Sequence, residues 1–339
     1  MASHTVALVP GDGIGPETSA AMQRVVEASG ADIVWDVAEA GAHLVEEHGT
    51  PLPASTIEAV KRNKVAIKGP VATPVGTGFR SVNVALRREL GLYACLRPVL
   101  SIPGAGGRYD GVDIVIVREN SEDLYAGIEF EEGSEGARKL IALCEEEGAG
   151  AIRPDSGISV KPISKAASER IVRFAFDYAR RHGRRKVTAV HKANIMKHTD
   201  GLFLRAAREV VMDPALFDVV VFPNLYGDIA SDLAAGLVGG LGIAPGANIG
   251  DEYAVFEAVH GSAPDIAGQD KANPTAQILS AAMMLAHLGE AEAAERIRRA
   301  VRAVYAEGAH LTADIRKATG SSKPAASCTE FTDALIAAF

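Results

Sequence analysis

Two aspartates four residues apart, Asp228 and Asp232, are candidates for a shared functional role because of their residue type and spacing. They lie in the run Asn224–Asp232, after the apolar strand pattern of Phe217–Pro223 and before a predicted helix at Leu233–Leu241. Carboxylates so spaced share one face of a helix and repel each other by roughly 0.2–0.5 kcal/mol. A helix N-terminus offsets part of this repulsion, and bound Mg²⁺ or Mn²⁺, which prefer oxygen ligands, would offset more. Taken alone, such a pair is more often two solvated acids that open a helix.

Arginines are concentrated in one part of the chain ahead of this pair. The cluster consists of Arg80, Arg87, Arg88, Arg97 and Arg118, and Glu89 is the one acid between positions 80 and 97. Guanidinium groups bind carboxylates in a bidentate manner. A basic cluster on a chain of net charge −8 therefore suits a small polyanion. Surface arginines paired with nearby acids are the equally good alternative.

Two glycine-rich segments are candidates for a nucleotide site. Gly11–Glu17 follows the first predicted strand, but it fails the G-x-G-x-x-G pattern because Pro16 follows its third glycine. A strand-to-helix turn with proline in the first helical position is the better interpretation. In His260–Pro274 small residues would let the backbone approach a nucleotide, and Asp265 could accept hydrogen bonds from a ribose 2′-hydroxyl. An ordinary surface loop is the alternative for this second segment.

Strand patterns alternate with helix patterns along the chain that carries these residues. This alternation predicts an α/β fold with a largely parallel sheet. The predicted strands are Val6–Val9, Ile33–Val37, Val65–Ile67, Val112–Val117, Lys186–Val190, Phe217–Pro223 and Val255–Val259. The predicted helices are Pro16–Ser29, Val84–Leu90, Ser164–His182, Gly201–Val211, Leu233–Leu241, Thr275–Leu288 and Ala291–Tyr305. An acidic helical segment, Glu129–Gly150, and the strand-like Ile158–Lys161 interrupt the alternation and predict an inserted arm.

Length and composition exclude several classes of protein. The 339 residues suffice for about two domains and a large core. We expect no membrane partner, because no apolar run reaches the roughly 18 residues of a membrane span and the N-terminus lacks a basic signal-peptide region. The net charge of −8 argues against a nucleic-acid partner. Three isolated cysteines, Cys95, Cys144 and Cys328, fit a reducing cytoplasm without a disulfide framework.

Several long motifs, in order from Val6 to the C-terminus, resemble the β-decarboxylating dehydrogenases, that is, the isocitrate, isopropylmalate and homoisocitrate dehydrogenases. They are Gly11–Glu17, Leu92–Pro98, Arg118–Tyr125, His191–Ile195, Asn224–Asp232, Gly242–Asn248 and His260–Pro274. The resemblance implies the two-domain fold of that family, with a mixed, mostly parallel sheet that is not a Rossmann fold. It implies a large cofactor domain from 1–92 and 239–339, a small domain from 93–122 and 165–238 with the substrate, metal and dimer interface, and a clasp-like arm over 123–164.

Within the family, the run from Arg80 to Arg87 resembles the isocitrate enzymes, in which the residues matching Ser81 and Asn83 face the substrate's γ-carboxylate. A hydroxyl and an amide beside arginines suit a third carboxylate, whereas an isopropyl group would leave them unpaired. The resemblance thus implies oxidative decarboxylation of isocitrate, with homoisocitrate and 3-isopropylmalate as alternative substrates. The implied substrate-binding residues are Ser81, Asn83, Arg87, Arg97, Arg118 and Asn194.

The resemblance also implies NAD as the cofactor. Asp265 and Ile266 are similar to the NAD-using members, whereas the relatives that use NADP have Lys-Tyr there. Those relatives place a Tyr and an Arg around the 2′-phosphate further on, where this chain has Ala313 and Lys317. The implied cofactor-binding residues are Thr73, His260, Gly261, Ser262, Ala263, Pro264, Asp265, Ile266 and Asn273.

The same resemblance assigns roles in catalysis. Asp228 and Asp232 would bind Mg²⁺ or Mn²⁺, which chelates the substrate's hydroxyl and adjacent carboxylate. Lys192, supplied by the partner subunit, would act on the base side, and Tyr125 would reprotonate the enolate left by CO₂. A cytoplasmic homodimer or larger homo-oligomer is the expected assembly.

The chain departs from the family pattern at Val211 and Met212, where two segments join directly. In relatives a strand and a helix, about twenty residues in all, lie between them. That unit supplies one further metal-binding aspartate to the partner's site and much of the interface helix, and Asp213 does not replace it. A non-catalytic regulatory subunit of a heteromeric isocitrate dehydrogenase therefore remains an alternative. The retained Tyr125 and Lys192, together with the arginines and the aspartate pair, favour an enzyme.

Overall fold

Alternating strands and helices make up the computed structural model, which describes residues 3–72, 81–210 and 218–339. The strands are β1 His4–Val9, β2 Ile33–Val37, β3 Val65–Lys68, β4 Ala94–Leu100, β5 Asp113–Glu119, β6 Glu129–Phe130, β7 Ile158–Ser159, β8 Val187–Ala189, β9 Val219–Phe222, β10 Pro245–Ile249 and β11 Ala254–Ala258. The helices are α1 Gly15–Ala28, α2 Val45–His48, α3 Ala54–Asn63, α4 Val82–Glu89, α5 Glu135–Glu146, α6 Lys165–Arg181, α7 Asp200–Val210, α8 Asn224–Val238, α9 Thr275–His287, α10 Ala291–Glu307, α11 Ala313–Ala318 and α12 Cys328–Ala337.

Nine of these strands form one mixed sheet in the order β2-β1-β3-β11-β10-β4-β5-β9-β8. The pairs at its two ends are parallel, whereas β10 runs antiparallel to both β11 and β4, and β4 runs antiparallel to β5. This confirms the predicted mixed, mostly parallel sheet and excludes the Rossmann strand order. Strands of the two predicted domains occupy opposite halves of the sheet, and the domain boundaries themselves stay predictions.

Apolar runs and amphipathic helices explain why the sheet is buried on both faces. The last four residues of β1, from Val6 to Val9, are all buried, as expected for a strand with helices on both sides. α9 is buried on most sides because α1 and α10 pack against it. α6 buries one stripe that includes Ile171 and Ala175, and Ser164 caps its N-terminus by accepting the Ala167 N–H at 3.1 Å.

Several elements differ from the sequence prediction, and three of these differences lie near the site. The helix predicted at Leu233–Leu241 is wrong in its bounds, because α8 already begins at Asn224 and ends at Val238. Gly239 and Gly240 stop it, with φ angles of 135° and 107°. β4 and β10 were not predicted as strands, since Pro98 and Gly246 interrupt their patterns.

The predicted arm is a two-stranded antiparallel ribbon, β6 and β7, with α5 between its strands. Among the described residues, no helix has the length and apolar character that crossing a membrane requires. The departure from the family predicted at Val211 and Met212 lies outside the described residues.

Candidate active site

Groups from three elements converge on the carboxylate of Asp228. Arg118 on β5 is buried; its Nε and Nη2 donate to Asn224 Oδ1 at 2.9 and 2.7 Å, and its Nη1 donates to Asp228. The Tyr125 hydroxyl, from the short 3-10 helix Asp123–Ala126, donates to Asp228 Oδ2 at 2.5 Å. The Arg118 guanidinium also lies 4.8 Å from the centroid of the Tyr125 ring. The structure thus brings together the predicted Arg118, Tyr125 and Asp228, which we call the Asp228 cluster.

A glycine allows α8 to lie this close to β5. A Cβ added at Gly227 would lie 2.6 Å from the Cβ and Cγ of Arg118. Any larger residue would therefore push the helix and the arginine apart. Gly227 was not predicted as a site residue, although it immediately precedes Asp228.

Arg97 on β4 joins the two predicted metal ligands. Its Nη1 donates to Asp232 Oδ1 at 3.1 Å and to the Ser231 hydroxyl, and lies 3.8 Å from Asp228 Oδ1. The Asp228 side chain is 30% exposed and that of Asp232 is 54% exposed. Both carboxylates are therefore open to a ligand while they are balanced by guanidinium groups.

The surroundings set the protonation of two groups in the cluster. Burial alone would raise the pKa of Asp228, but the Arg118 charge, the Tyr125 hydrogen bond and Arg97 lower it below its ordinary value. Burial and the adjacent Asp228 carboxylate raise the pKa of Tyr125 above its ordinary value. At neutral pH the site therefore holds an ionised carboxylate next to a phenol that retains its proton, as a proton donor requires.

The donor set at the start of α8 fits a hard divalent cation. Asp228 and Asp232 provide two carboxylates four residues apart on one helix, and Mg²⁺ typically takes one or two carboxylates and completes its shell with water and substrate oxygens. Among the described residues, the one group of three metal-binding side chains is elsewhere, at Glu17, Asp270 and Cys328. In that group Glu17 already accepts two backbone N–H groups, and burial raises the pKa of the Cys328 thiol to about 12.

A polar cavity of about 170 Å³ lies beside the arginines. Its charged and polar lining residues are Lys68, Asn83, Arg87, Cys95, Arg97, Asn248, Glu257 and His260. Glu257 lies 2.8 Å from Lys68 Nζ and 3.7 Å from Arg87 Nη2. Although burial would raise the pKa of Glu257, these two cations lower it to about 2. Asn83 Oδ1 and Arg87 Nε are buried without a hydrogen-bond partner in the described structure. Such atoms are the ones a polar ligand would satisfy.

The predicted cofactor loop borders the same cavity through His260. Its Nδ1 donates to the Gly261 carbonyl at 2.9 Å, so in the neutral ring Nε2 is an acceptor. Burial lowers the pKa of His260 and keeps the ring neutral. Nε2 is buried without a partner among the described residues. The loop therefore presents one free acceptor, which a donor on a nucleotide could satisfy.

The two glycine-rich segments contact each other. The Ile14 N–H donates to the Ser262 carbonyl at 2.9 Å, and a Cβ added at Gly13 would lie 1.9 Å from that oxygen. Gly11–Glu17 is a strand-to-helix turn, as predicted, and it supports the later loop. Asp265 in that loop is exposed.

The remaining predicted cofactor residues lie in or beside this loop. Gly261, Ser262 and Ala263 precede the short 3-10 helix Pro264–Ile266. Asn273 is buried, donates to Asp314 at 2.9 Å and accepts the Thr275 N–H at 3.0 Å. It therefore holds the start of α9 within this structure. Thr73, like Arg80, lies outside the described residues.

Three predicted residues have no hydrogen bond or ion pair with the Asp228 cluster in the part of the chain that the structure describes. Lys192 and Asn194 are exposed on the segment after β8, and neither side chain has a hydrogen bond to the cluster among the described residues. Ser81 is half-buried at the position before α4. Lys192 and Asn194 are thus available to a neighbouring molecule.

Sequence reasoning missed several polar residues of the site. Lys68 and Glu257 are charged residues inside β3 and β11, and a charge within a buried strand pattern was the available signal. Asn224 begins α8 and binds Arg118, but its role depends on a partner 106 residues away in sequence, which no local pattern contains.

Known proteins resemble this chain over almost its whole length. The isocitrate/isopropylmalate dehydrogenase family model matches residues 5–211 and 204–335. The chain is 46% identical to a mitochondrial regulatory subunit of NAD isocitrate dehydrogenase from Dictyostelium discoideum, covering 98% of this chain and 90% of that protein. It is also 46% identical to the mitochondrial catalytic subunit 5 from Arabidopsis thaliana, covering 98% and 87%.

The crystal structure of isocitrate dehydrogenase from Methylococcus capsulatus superposes with a TM-score of 0.87, at 46% identity and covering 99% of both chains. The Dictyostelium alignment spans 355 residues, more than the 339 of this chain, so that relative has residues that this chain lacks. The family match divides at 204–211, where the absent unit was predicted. The fold, the site and these matches together show that the chain belongs to the isocitrate/isopropylmalate dehydrogenase family, and that it is most like the NAD-dependent isocitrate dehydrogenases.

Proposed function

We propose that this chain oxidises and decarboxylates isocitrate to 2-oxoglutarate and CO₂, with NAD as the hydride acceptor and Mg²⁺ or Mn²⁺ held by Asp228 and Asp232. The observation that carries this proposal is the convergence of Arg118 and Tyr125 on Asp228, beside a cavity with unpartnered buried polar groups. A tricarboxylate needs several guanidinium groups, and a decarboxylation that leaves an enolate needs a proton donor.

Each residue has a physical task in this reaction. A divalent cation bound by Asp228 and Asp232 would supply Lewis-acid polarisation of the substrate oxygens. Arg87, Arg97 and Arg118 bind the substrate carboxylates and orient the hydroxyl-bearing carbon for hydride transfer. Asn83 supplies an amide, which suits the third carboxylate. Tyr125, whose pKa is raised by burial and by Asp228, keeps its proton until the enolate carbon accepts it.

The choice of NAD rests on the loop and on α11. Exposed Asp265 suits a ribose diol and repels a 2′-phosphate. Ala313 and Lys317 occupy the places at which NADP-using relatives place their phosphate-binding Tyr and Arg. The free acceptor at His260 adds a hydrogen-bonding position for the nucleotide.

We infer that a second copy completes the site. Lys192 is exposed and, among the described residues, has no hydrogen bond to the Asp228 cluster in its own chain, so a homodimer in which each copy supplies Lys192 to the other would provide the missing base. A regulatory role is the second candidate, because the chain is equally similar to one regulatory and one catalytic relative. The retained Arg118, Tyr125 and Asp228 geometry supports the catalytic role.

A turnover assay tests the proposal. NADH formation is measured with isocitrate, homoisocitrate and 3-isopropylmalate, each with Mn²⁺ or with EDTA, on protein of verified mass 35.4 kDa. We expect turnover of isocitrate that EDTA abolishes. Turnover of no substrate would favour the regulatory role, and a preference for homoisocitrate would change only the substrate.

A further inference from the structure

A second charge cluster, which we call the Lys161 cluster, lies outside the Asp228 cluster. Lys161 follows β7, and its Nζ lies 2.9 Å from Asp200 Oδ1 and 3.7 Å from Asp123 Oδ1. Both aspartate side chains are 0% exposed. The Lys161 Nζ also lies 3.4 Å from the Tyr226 hydroxyl and 4.4 Å from the centroid of that ring. One ammonium therefore balances two fully buried carboxylates.

Each buried aspartate uses an oxygen to fix backbone that belongs to the proposed site. Asp200 Oδ2 accepts the N–H of Lys192 at 2.6 Å. Asp123 Oδ2 accepts the N–H of Leu225, in the first turn of α8, at 3.0 Å. Asp123 also begins the short helix that carries Tyr125. The Lys161 cluster thus connects three segments: the proton donor's turn, the helix of the metal ligands and the loop of the proposed base.

The turn at Asp123 is held in an unfavourable conformation. Asp123 has a φ of +70°, which non-glycine residues rarely adopt. Such a conformation persists only where the surroundings determine it. Here the Asp123 N–H donates to the Pro162 carbonyl at 3.1 Å, next to Lys161 in the chain, while its carboxylate faces the ammonium.

We propose that Lys161 is a positioning residue that fixes the Tyr125 turn, the start of α8 and the Lys192 loop relative to one another. This inference rests on the proposed function and deepens it. Removing the ammonium would leave two buried carboxylates without a counter-charge, which they can relieve only by taking up protons or by moving apart. Protonation would weaken the carboxyl oxygens as acceptors, and movement would separate them from the backbone N–H groups that they hold. Either response would loosen the Tyr125 turn and with it the 2.5 Å contact between Tyr125 and Asp228.

Kinetics of Lys161→Met test this role, with Lys165→Met as the matched control. Lys165 lies four residues further on, its side chain is 60% exposed, and it pairs with Glu169 and Glu209 on the surface. We expect Lys161→Met to lower kcat by about tenfold or more with little change in KM for isocitrate, and to alter the pH profile of kcat. Lys165→Met should leave kcat and its pH profile unchanged, and Lys161→Arg should recover part of the lost rate.

A purely structural role gives a different pattern in the same assays. In that case Lys161→Met would lower the melting temperature, while kcat per folded molecule and its pH profile would match the unmodified protein. That outcome would overturn the inference. If the methionine variant does not fold, Lys161→Gln, which keeps a hydrogen-bond donor without the charge, provides the same comparison.

Hydrogen exchange provides a readout that does not depend on turnover. The amides of Lys192 and Leu225 should exchange faster in Lys161→Met than in the unmodified protein, and should be unaffected in Lys165→Met. Unchanged exchange at both amides would show that Lys161 does not position these segments. If the unmodified protein turns over no substrate, the proposed function fails, whereas the exchange experiment still decides the role of Lys161.

Discussion

At the scale of single residues, Asp228 is the acceptor around which the site is built. It receives hydrogen bonds from Arg118 and Tyr125, and Arg97 lies 3.8 Å away. The guanidinium groups of Arg118 and Arg97 match the charges of Asp228 and Asp232. A bound tricarboxylate would add three negative charges. A divalent cation in the same site would offset part of that charge. Under the proposed function, charge balance therefore favours binding of the substrate and the metal at the same site.

Tyr125→Phe tests the proton donor directly. The variant loses only the hydroxyl that donates to Asp228, so we expect kcat to fall about a hundredfold or more while Mn²⁺ affinity stays close to the original. Steady-state kinetics and Mn²⁺ titration measure the two effects. Tyr109→Phe is the control, because Tyr109 is 50% exposed and should change neither quantity. An unchanged kcat in Tyr125→Phe would exclude this tyrosine as the donor.

The low pKa of Glu257 predicts that the free energy of unfolding depends on pH. Its pKa is about 2 in the folded protein against an ordinary value of 4.5, so its contribution is complete above pH 4.5 and is lost as the pH falls through about 2. The contribution is of the order of 3 kcal/mol. Urea unfolding should therefore show that Glu257→Gln destabilises the protein at about pH 6 and much less at about pH 3. Glu252→Gln, at an exposed position, should show no such difference.

At the scale of elements, sequence patterns predicted what is local and periodic. The helices α1, α6, α9 and α10 and most parallel strands were predicted close to their observed bounds, because apolar periodicity marks both kinds of element. The central antiparallel strands β4 and β10 were missed. Each contains a proline or glycine, and what makes them strands is pairing with distant neighbours, such as Ala247 with Leu96.

The distinction between local patterns and contacts that are distant in sequence also applies to the candidate site. The types of Arg97, Arg118 and Asp228 and their motifs could be recognised in the sequence, but their mutual contacts could not. Asn224 and Lys161 were missed because their roles arise from partners far along the chain. Lys192 was predicted from its motif, but its exposed position within one chain does not show which site it serves.

Alanine substitutions at two glycines of α8 should have opposite effects on the stability of the protein. Gly227→Ala would place a Cβ 2.6 Å from Arg118, so the helix must shift from β5, and we expect stability and kcat both to fall. Gly236→Ala on the same helix meets nothing within 4 Å and should stabilise the protein by about 0.5–1 kcal/mol. Thermal unfolding and kcat measure both effects. A Gly227→Ala protein with the original kcat would show that the close approach of helix and strand does not matter for catalysis.

At the scale of the whole molecule, the site lies where the two halves of the sheet meet. β4 and β10 are adjacent at that point, and the cavity is lined by Arg97 from one and Asn248 from the other. Antiparallel pairing there joins the halves into one continuous sheet. The cytoplasmic location stays a prediction.

Complementation between inactive copies tests the proposed assembly. In a homodimer that exchanges Lys192, a copy with Lys192→Ala still has its own Asp228, and a copy with Asp228→Asn still donates Lys192. A mixed dimer therefore contains one complete site and one site with both defects. Random pairing of the two variants should restore about a quarter of the unmodified activity, although each variant alone is inactive.

The two arrangements give different results because of where Lys192 acts. If Lys192 serves the site of its own chain, each copy in a mixed dimer retains its own defect and no activity returns. Light scattering on the mixture shows whether dimers form, so that failure to assemble is distinguished from action within one chain. Two copies of Lys192→Ala mixed with each other are the control and should stay inactive. Recovery only in the mixed sample would assign Lys192 to the site of the neighbouring copy.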